Sequence, residues 1–375
     1  MKKICPVLFW IFVSAFLHAQ GNEAPHRSDP ASEHVLVVMT DGLRWQEVFG
    51  GADASLLTKE NTEGQSIDDL RQRYVRATPE ESRHALMPFL WNQMVPQGEI
   101  YGNRKKGSDA YVTNGLNFSY PGYSETLTGH PDAGVKSNDN VPNPNVTVLE
   151  WLNTEWKKSE PSVHDQTAAF GAWEVIGGVV NRQRCDFVVN VGYEPLTSVP
   201  VTPRVDLLNR WKSETPHIWE DEAFDAPTFY SAMEYLKAKR PRLLFLSLGE
   251  TDDWAHGGRY GFYLDAAHRV DLYLEELWKF VQEDPEYRGH TTLIFLPDHG
   301  RGEAPDEWKT HGEKVPDSKY IFLAAMGGGV PARGELGAGT TAVTQSQVAA
   351  TIARLFGKDW NRETPQAGKP LAEIR

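Results

Sequence analysis

The sequence contains little cysteine. Its 375 residues include only Cys5 and Cys185. Cys5 falls in an N-terminal stretch that we predict to be removed on export, so the mature chain would keep a single thiol and could form no internal disulfide. We therefore expect the fold to be stabilised by the packing of its core and by any metal ion that it binds.

The sequence also lacks an excess of basic residues. It has 38 Lys and Arg against 51 Asp and Glu, which gives a formal net charge of -13. Binding to a phosphate backbone normally needs a basic face, so this balance argues against a nucleic-acid partner. An anionic small molecule would need a locally positive site, and a cluster of metal ions would supply one.

A long apolar run is absent at the N-terminus. Lys2 and Lys3 precede an apolar stretch over residues 7–17, and His-Ala-Gln follows it, which predicts a signal peptide over residues 1–20 cleaved near Ala19. The stretch is short for a membrane span, although an uncleaved anchor is the alternative. We expect a periplasmic or secreted protein without a stable membrane anchor.

Internal repeats and low-complexity tracts are also missing. The remaining residues, 21–375, alternate apolar segments of strand length with amphipathic segments, which favours a single α/β domain. Residues 192–225 are rich in proline and irregular in pattern, which is typical of an insertion at the surface. We predict that this insertion forms a cap over the ligand crevice.

Three apolar segments are each followed by a carboxylate. Taken singly, each carboxylate is better explained as part of a polar turn. Parallel strands, however, place their carboxyl ends at one edge of a sheet, where open α/β folds bind ligands. The three pairs of segment and carboxylate are 34–40 with Asp41, 242–249 with Asp252, and 292–297 with Asp298.

Three histidines extend this set. His256 follows Asp252 by four residues, and the glycines after it predict a flexible loop. His299 adjoins Asp298, and His311 lies in a later polar loop. The six side chains are enough to hold two divalent ions. Mixed imidazole and carboxylate ligation suits zinc, or alternatively manganese, better than magnesium or calcium.

A serine stands at the start of a predicted short helix. Pro121 lies just inside the helix, Ser119 immediately outside it, and Gly129 at its far end. The Ser119 hydroxyl could simply cap the helix, or it could be presented to a substrate held at the helix N-terminus. In the second case a metal ion could deprotonate it and make it a nucleophile.

Together these motifs resemble the alkaline phosphatase superfamily, and within it the branch of nucleotide pyrophosphatases and phosphodiesterases. The resemblance covers nearly all of the mature chain and follows the motif order of the family. The matching residues are Asp41, Ser119-Tyr120-Pro121, Asp252 with His256, Asp298-His299-Gly300, and His311-Gly312.

The resemblance implies an α/β/α sandwich around a largely parallel sheet, with an inserted cap. It also implies a hydrolase that attacks a small-molecule phosphoester through Ser119. With the predicted signal peptide, we expect an exported enzyme that forms a phosphoserine intermediate. By the same similarity, two groups of residues would each hold one ion, and an asparagine would bind the phosphoryl oxygens. The assignments are Asp252, His256 and His311 for one ion; Asp41, Ser119, Asp298 and His299 for the other; and Asn138, or alternatively Asn140, for the phosphoryl group.

The chain departs from the family pattern in ways that leave the substrate open. Serine replaces the threonine that is usual in the phosphodiesterase branch, so both monoesters and diesters fit. A sulfatase pattern, Cys/Ser-x-Pro-x-Arg, would need arginine where Tyr123 stands. A sulfuric ester hydrolase and a secreted metal-binding homologue without activity are the alternatives. Arg301 is a further candidate for substrate binding, although basic residues in polar loops, such as Lys309, are commonly only solvated.

Overall fold

The computed structural model describes Met1 and residues 31–162 and 164–375. The signal peptide predicted over residues 1–20 therefore falls, apart from Met1, outside the described residues. Within the described ranges, no helix is both long and apolar enough to cross a membrane.

Eight strands form the central sheet, in the order β5-β4-β6-β1-β7-β8-β2-β9, and two short strands, β3 and β10, pair separately. Strand β8 is antiparallel to both of its neighbours, and the other pairs in this sheet are parallel. The largely parallel sheet predicted from the sequence is thus confirmed. The strands are β1 (His34–Thr40), β2 (Gly98–Tyr101), β3 (Ala110–Tyr111), β4 (Thr167–Gly171), β5 (Val188–Val191), β6 (Leu243–Leu248), β7 (Thr291–Pro297), β8 (Leu323–Gly327), β9 (Gly334–Glu335) and β10 (Val343–Thr344).

Helices cover the sheet and connect its strands. Four short 3-10 helices and one π-helix, Leu90–Met94, occur among the described residues besides the α-helices. The α-helices are α1 (Trp45–Gly50), α2 (Ile67–Tyr74), α3 (Pro79–Leu86), α4 (Val95–Gln97), α5 (Ser119–Thr128), α6 (Val148–Ser159), α7 (Ile176–Val179), α8 (Pro203–Glu214), α9 (Asp225–Lys239), α10 (Glu250–His256), α11 (Tyr260–Glu283), α12 (Val348–Leu355) and α13 (Trp360–Glu363).

Both faces of the sheet are buried under helices. Along β1, Leu36 and Val38 join one apolar core and Val35 and Val37 join the other, because successive side chains of a strand point to opposite faces. Helices α9 and α11 contribute to the first core, and α5, α6 and α12 to the second. The predicted three-layer α/β/α sandwich is confirmed.

The three strands that precede the candidate carboxylates are neighbours at the centre of the sheet. Strand β1 lies between β6 and β7, and Thr40 is in register with Leu248 on one side and with Pro297 on the other. Asp41 and Asp298 directly follow the ends of β1 and β7. Their shared edge is therefore the carboxyl edge of the central strands.

The segment that carries Asp252 and His256 is helical, so the flexible loop predicted there is wrong. It forms α10, whose N-cap residue Gly249 donates its backbone N–H to the buried carboxylate of Asp225. Acidic residues in its first turn also favour a helix N-terminus. A spacing of four residues on a helix places Asp252 and His256 on the same face.

The start of the Ser119 helix also differs from the sequence prediction. Ser119 is the first residue of α5 and not its cap, because the N-cap residue is Phe118 and its side chain makes no capping bond. Helix α3 ends at Leu86, and Met87 leaves the helical conformation. Met87 precedes a proline, and the proline ring disfavours helical backbone in the preceding residue.

The π-helix is anchored by a buried carboxylate of α11. Asp271 is fully buried, and it accepts hydrogen bonds from the backbone N–H groups of Phe89 (2.7 Å) and Leu90 (2.8 Å). Burial raises the pKa of Asp271 to about 7, against 3.8 for the free side chain. The folded protein therefore keeps a proton that the unfolded chain loses between about pH 4 and pH 7.

We expect the stability that Asp271 contributes to be present below about pH 4 and to be lost as the pH rises towards 7. Asn in the Asp271→Asn variant cannot titrate. The unfolding free energy of wild type, relative to that of the variant, should therefore fall by up to about 4 kcal/mol as the pH rises over this range. Denaturant titrations at several pH values would measure it. Asp206→Asn, at an exposed position of α8, should follow the wild-type curve. Parallel curves for Asp271→Asn and wild type would contradict the assignment.

Candidate active site

Ser119 stands at the N-terminus of α5 with its hydroxyl directed at the carboxyl edge of the sheet. The residue is 5% exposed. Its Oγ lies 3.3 Å from Asp41 Oδ1 and 3.4 Å from His299 Nε2. The helix approaches this edge closely because Gly122 has no side chain, since a Cβ atom there would lie 2.3 Å from the backbone oxygen of Asp298.

The loop before α5 is held by a buried carboxylate from the helix itself. Glu125 accepts hydrogen bonds from the backbone and side-chain groups of Thr113 and Asn114. The side-chain oxygen of Asn114 in turn accepts from the backbone N–H of Asn117, whose own carbonyl lies 3.1 Å from His311 Nδ1. One hydrogen-bonded loop thus connects the Ser119 helix to His311.

Asp41, Asp298 and His299 form one group that could hold a metal ion. His299 Nε2 lies 3.2 Å from Asp41 Oδ1 and 3.5 Å from Asp298 Oδ2. All three residues are buried, and the Ser119 hydroxyl adjoins them. The strand ends and the helix N-terminus bring these four side chains together.

The hydrogen bonds within this group leave its metal-binding atoms free. Asp298 Oδ1 accepts the backbone N–H groups of Gly42 (3.0 Å) and His299 (2.7 Å), whereas Asp298 Oδ2 is buried without a hydrogen-bond partner. His299 Nδ1 lies 2.8 Å from the carbonyl of Gly300, so it carries the proton and leaves Nε2 as the free nitrogen. An orphaned carboxylate oxygen beside a free imidazole nitrogen fits a divalent cation.

A second group gathers around Asp252. His256 Nε2 lies 3.1 Å from Asp252 Oδ2 and 2.9 Å from His311 Nε2, while His311 Nε2 lies 3.7 Å from Asp252 Oδ1. His299 also borders this group, since its Nε2 lies 3.8 Å from Asp252 Oδ1. His311 bonds its Nδ1 to a backbone carbonyl, which again leaves Nε2 for a metal. The set Asp252, His299 and His311 satisfies the geometry of a metal site, and the more exposed His256 adjoins it.

The charges at this edge are only partly balanced by the protein. Burial, and next the charge of Asp252, raises the pKa of Asp41 well above its usual range. Burial, and next the charge of Asp41, does the same to the pKa of Asp298. Burial also tends to raise the pKa of Asp252. The Arg301 guanidinium and two histidines outweigh burial and hold the pKa of that carboxyl well below its usual value. Bound cations would compensate the remaining carboxylates.

The three predicted substrate-binding residues lie in different surroundings. The side-chain oxygen of Asn138 accepts the backbone N–H of Tyr120 (3.0 Å), so this exposed amide lies at the first turn of the Ser119 helix. The side-chain oxygen of Asn140 lies beside Gly178. Arg301 is fully buried and is bonded to Asp252.

Several neighbours of these residues were not singled out from the sequence. Gly42 adopts a φ of +58°, and the Gly42 backbone holds Asp298. The Asp-Gly pair after an apolar strand signals only a turn, so its second role could not be read from the sequence. Glu222, at the end of the predicted cap, presses its buried carboxylate against Gly249, the residue before α10. No sequence signal points to that contact.

Comparison with known proteins relates the chain to phosphoester-cleaving enzymes. A family model described as type I phosphodiesterase / nucleotide pyrophosphatase matches residues 61–370. This stretch contains every candidate residue except Asp41. A search of curated protein sequences found no match.

Solved structures share the fold at low sequence identity. The chain aligns with the alkaline phosphatase PafA at 10% identity and a TM-score of 0.58, covering 92% of this chain and 99% of PafA. An alkaline phosphatase superfamily protein from Vibrio parahaemolyticus aligns at 13% identity and a TM-score of 0.53, covering 92% of this chain and 72% of that protein. A 2-O GAG sulfatase aligns at 14% identity and a TM-score of 0.52, covering 91% of this chain and 73% of the sulfatase.

Proposed function

This chain belongs to the type I phosphodiesterase / nucleotide pyrophosphatase family and is a hydrolase of phosphoric ester bonds, and we propose that it cleaves them through Ser119. The observation that carries this proposal is the position of the Ser119 hydroxyl, within 3.4 Å of both Asp41 and His299 at the N-terminus of a buried helix. A hydroxyl placed beside a charged donor set and a helix N-terminus suits attack on an anionic phosphoryl group.

In the proposed reaction, Ser119 Oγ attacks phosphorus while the bond to the ester oxygen breaks on the opposite side. The serine proton is lost to solvent and the ester oxygen takes up a proton as the alcohol leaves. A phosphoserine forms, which keeps the second ester group if the substrate is a diester. Water then attacks phosphorus, which restores the hydroxyl and releases phosphate from a monoester or a phosphomonoester from a diester. Asp41, Asp298 and His299 would hold one divalent ion, and Asp252, His256 and His311 another, with zinc preferred and manganese as the alternative. When bound, these ions supply positive charge for the equatorial and leaving oxygens and favour the ionised serine.

We assign substrate orientation to Asn138, and keep Asn140 as the alternative. The oxygen of the Asn138 amide is already occupied by the Tyr120 N–H. Its NH₂ group is therefore the part available to donate to a phosphoryl oxygen beside Ser119. The proposal also includes export of the protein and a cap formed by residues 192–225.

A panel of nitrophenyl esters would test the reaction class. We expect the zinc-loaded protein to release nitrophenol from nitrophenyl phosphate, from bis-nitrophenyl phosphate or from both, and much more slowly from nitrophenyl sulfate. The buried Tyr123 phenol lies 2.8 Å from the Ser247 hydroxyl, in the position where a sulfatase motif needs arginine. Preference for the sulfate ester would favour the alternative of a sulfuric ester hydrolase. Failure to cleave any of the three would favour a metal-binding homologue without activity.

A further inference from the structure

The guanidinium of Arg301 lies inside the donor cluster but has no part in the proposed reaction. Its side chain is 0% exposed. Its Nη1 donates to the carbonyl of Lys309 (2.7 Å), and its Nη2 donates to the carbonyl of Asp252 (3.2 Å) and to the Asp252 carboxylate. The guanidinium therefore donates to protein groups, and its burial keeps it from the crevice.

The space for this guanidinium depends on Gly42. A Cβ atom at Gly42 would lie 2.6 Å from Asp252 Oδ1 and 2.8 Å from Arg301 Nε, which is closer than real Cβ contacts. Gly42 also has a φ of +58°, which residues other than glycine rarely adopt. The turn after β1 therefore makes room for the pairing of Arg301 with Asp252.

The bonds of Arg301 join two chain segments that carry metal donors. Asp252 lies on α10, and Lys309 lies two residues before His311. The guanidinium is a rigid planar fork, so donating to both segments at once fixes the position of one relative to the other. The separation of Asp252 from His311 is thereby set by a residue that is not itself a metal donor.

We infer that Arg301 is a positioning residue that orients Asp252 and the His311 loop for metal binding, and that it is not a ligand of the substrate phosphate. This inference rests on the proposed metal centre. A guanidinium also repels a nearby cation, but its two backbone bonds give it an orienting role that a free charge would lack. Partners that orient metal ligands in this way typically change metal affinity by about 10- to 100-fold when they are removed.

The test compares Arg301→Met and Arg301→Lys with wild type and with Arg210→Met, which removes an exposed arginine from α8. Zinc content after dialysis and zinc affinity against a chromophoric chelator would be measured for each protein. We expect wild type and Arg210→Met to hold two ions alike. Arg301→Met should bind one of the two about 10- to 100-fold more weakly, and Arg301→Lys should recover part of the loss. Gly42→Ala, whose added Cβ atom would crowd Arg301 and Asp252, should weaken the binding of the same ion.

Inhibition by inorganic phosphate at saturating zinc separates this role from direct substrate binding. The inhibition constant should be unchanged in Arg301→Lys. Unchanged or tighter zinc binding in Arg301→Met, together with weaker phosphate inhibition, would overturn the inference and leave the proposed function standing. A wild-type protein that binds no ion would overturn both.

Discussion

Replacing Ser119 with alanine is expected to reduce kcat for phosphoester hydrolysis by roughly 10³-fold or more, because the reaction loses its nucleophile. The change removes one buried oxygen from the first turn of α5 and leaves the Asp41 and His299 side chains in place. Steady-state kinetics on the most active nitrophenyl ester would measure the loss. Zinc content should stay near that of wild type, because most of the donors remain.

Ser119→Thr is the matched variant, since it keeps a hydroxyl at the same position. We expect it to retain measurable hydrolysis, and we expect Ser213→Ala, at an exposed position of α8, to behave as wild type. Rapid quenching with labelled substrate should trap a phosphoprotein in wild type and none in Ser119→Ala. An alanine variant with near-normal kcat would refute the nucleophile assignment.

Replacing Asp298 with asparagine is expected to abolish binding of at least one ion and to lower kcat/KM by roughly 10³-fold or more, a loss comparable to that of a disabled catalytic group. Asparagine keeps the shape of the side chain and an oxygen that can accept from Gly42 and His299. It replaces the orphaned Oδ2 with an NH₂ group, which cannot bind a cation. Metal analysis after zinc reconstitution would measure the change.

The same variant should have opposite effects on metal-free and metal-loaded stability. Without metal, removing a buried and poorly compensated carboxylate should leave the melting temperature unchanged or raise it. With zinc at 100 times the dissociation constant, wild type should gain about 2.7 kcal/mol per ion, and Asp298→Asn should gain less. Asp306→Asn, at an exposed position of the following loop, serves as control. Two tightly bound ions in Asp298→Asn would contradict the assignment of Asp298.

Local sequence patterns were sufficient to predict the parts of the site that depend on neighbouring residues. The apolar runs before Asp41 and Asp298 predict buried strands, and the structure has them as β1 and β7. Gly129 predicts the end of the Ser119 helix, and the structure ends it there with a φ of +84°. These features follow from hydrophobicity and backbone freedom, which act over a few residues.

Other parts of the site depended on the whole fold. The adjacency of β6, β1 and β7 arises from strand pairing between residues 208 apart (Val35 and Leu243) and 257 apart (His34 and Thr291), and no local pattern encodes it. The sequence does not predict the helix that carries Asp252 and His256, because five of its seven residues are polar and two glycines follow it. A buried carboxylate from Asp225, distant in sequence, supports its N-terminus.

Arg301 shows most clearly what each level of description determines. By itself, the sequence established a charged residue two positions after an Asp-His pair, which is equally compatible with a phosphate ligand and with a solvated loop side chain. Tertiary packing decided that it is fully buried and bonded to Asp252 and Lys309. The physical reason is that side-chain burial depends on what the rest of the chain places nearby, here a glycine turn that leaves room for the guanidinium.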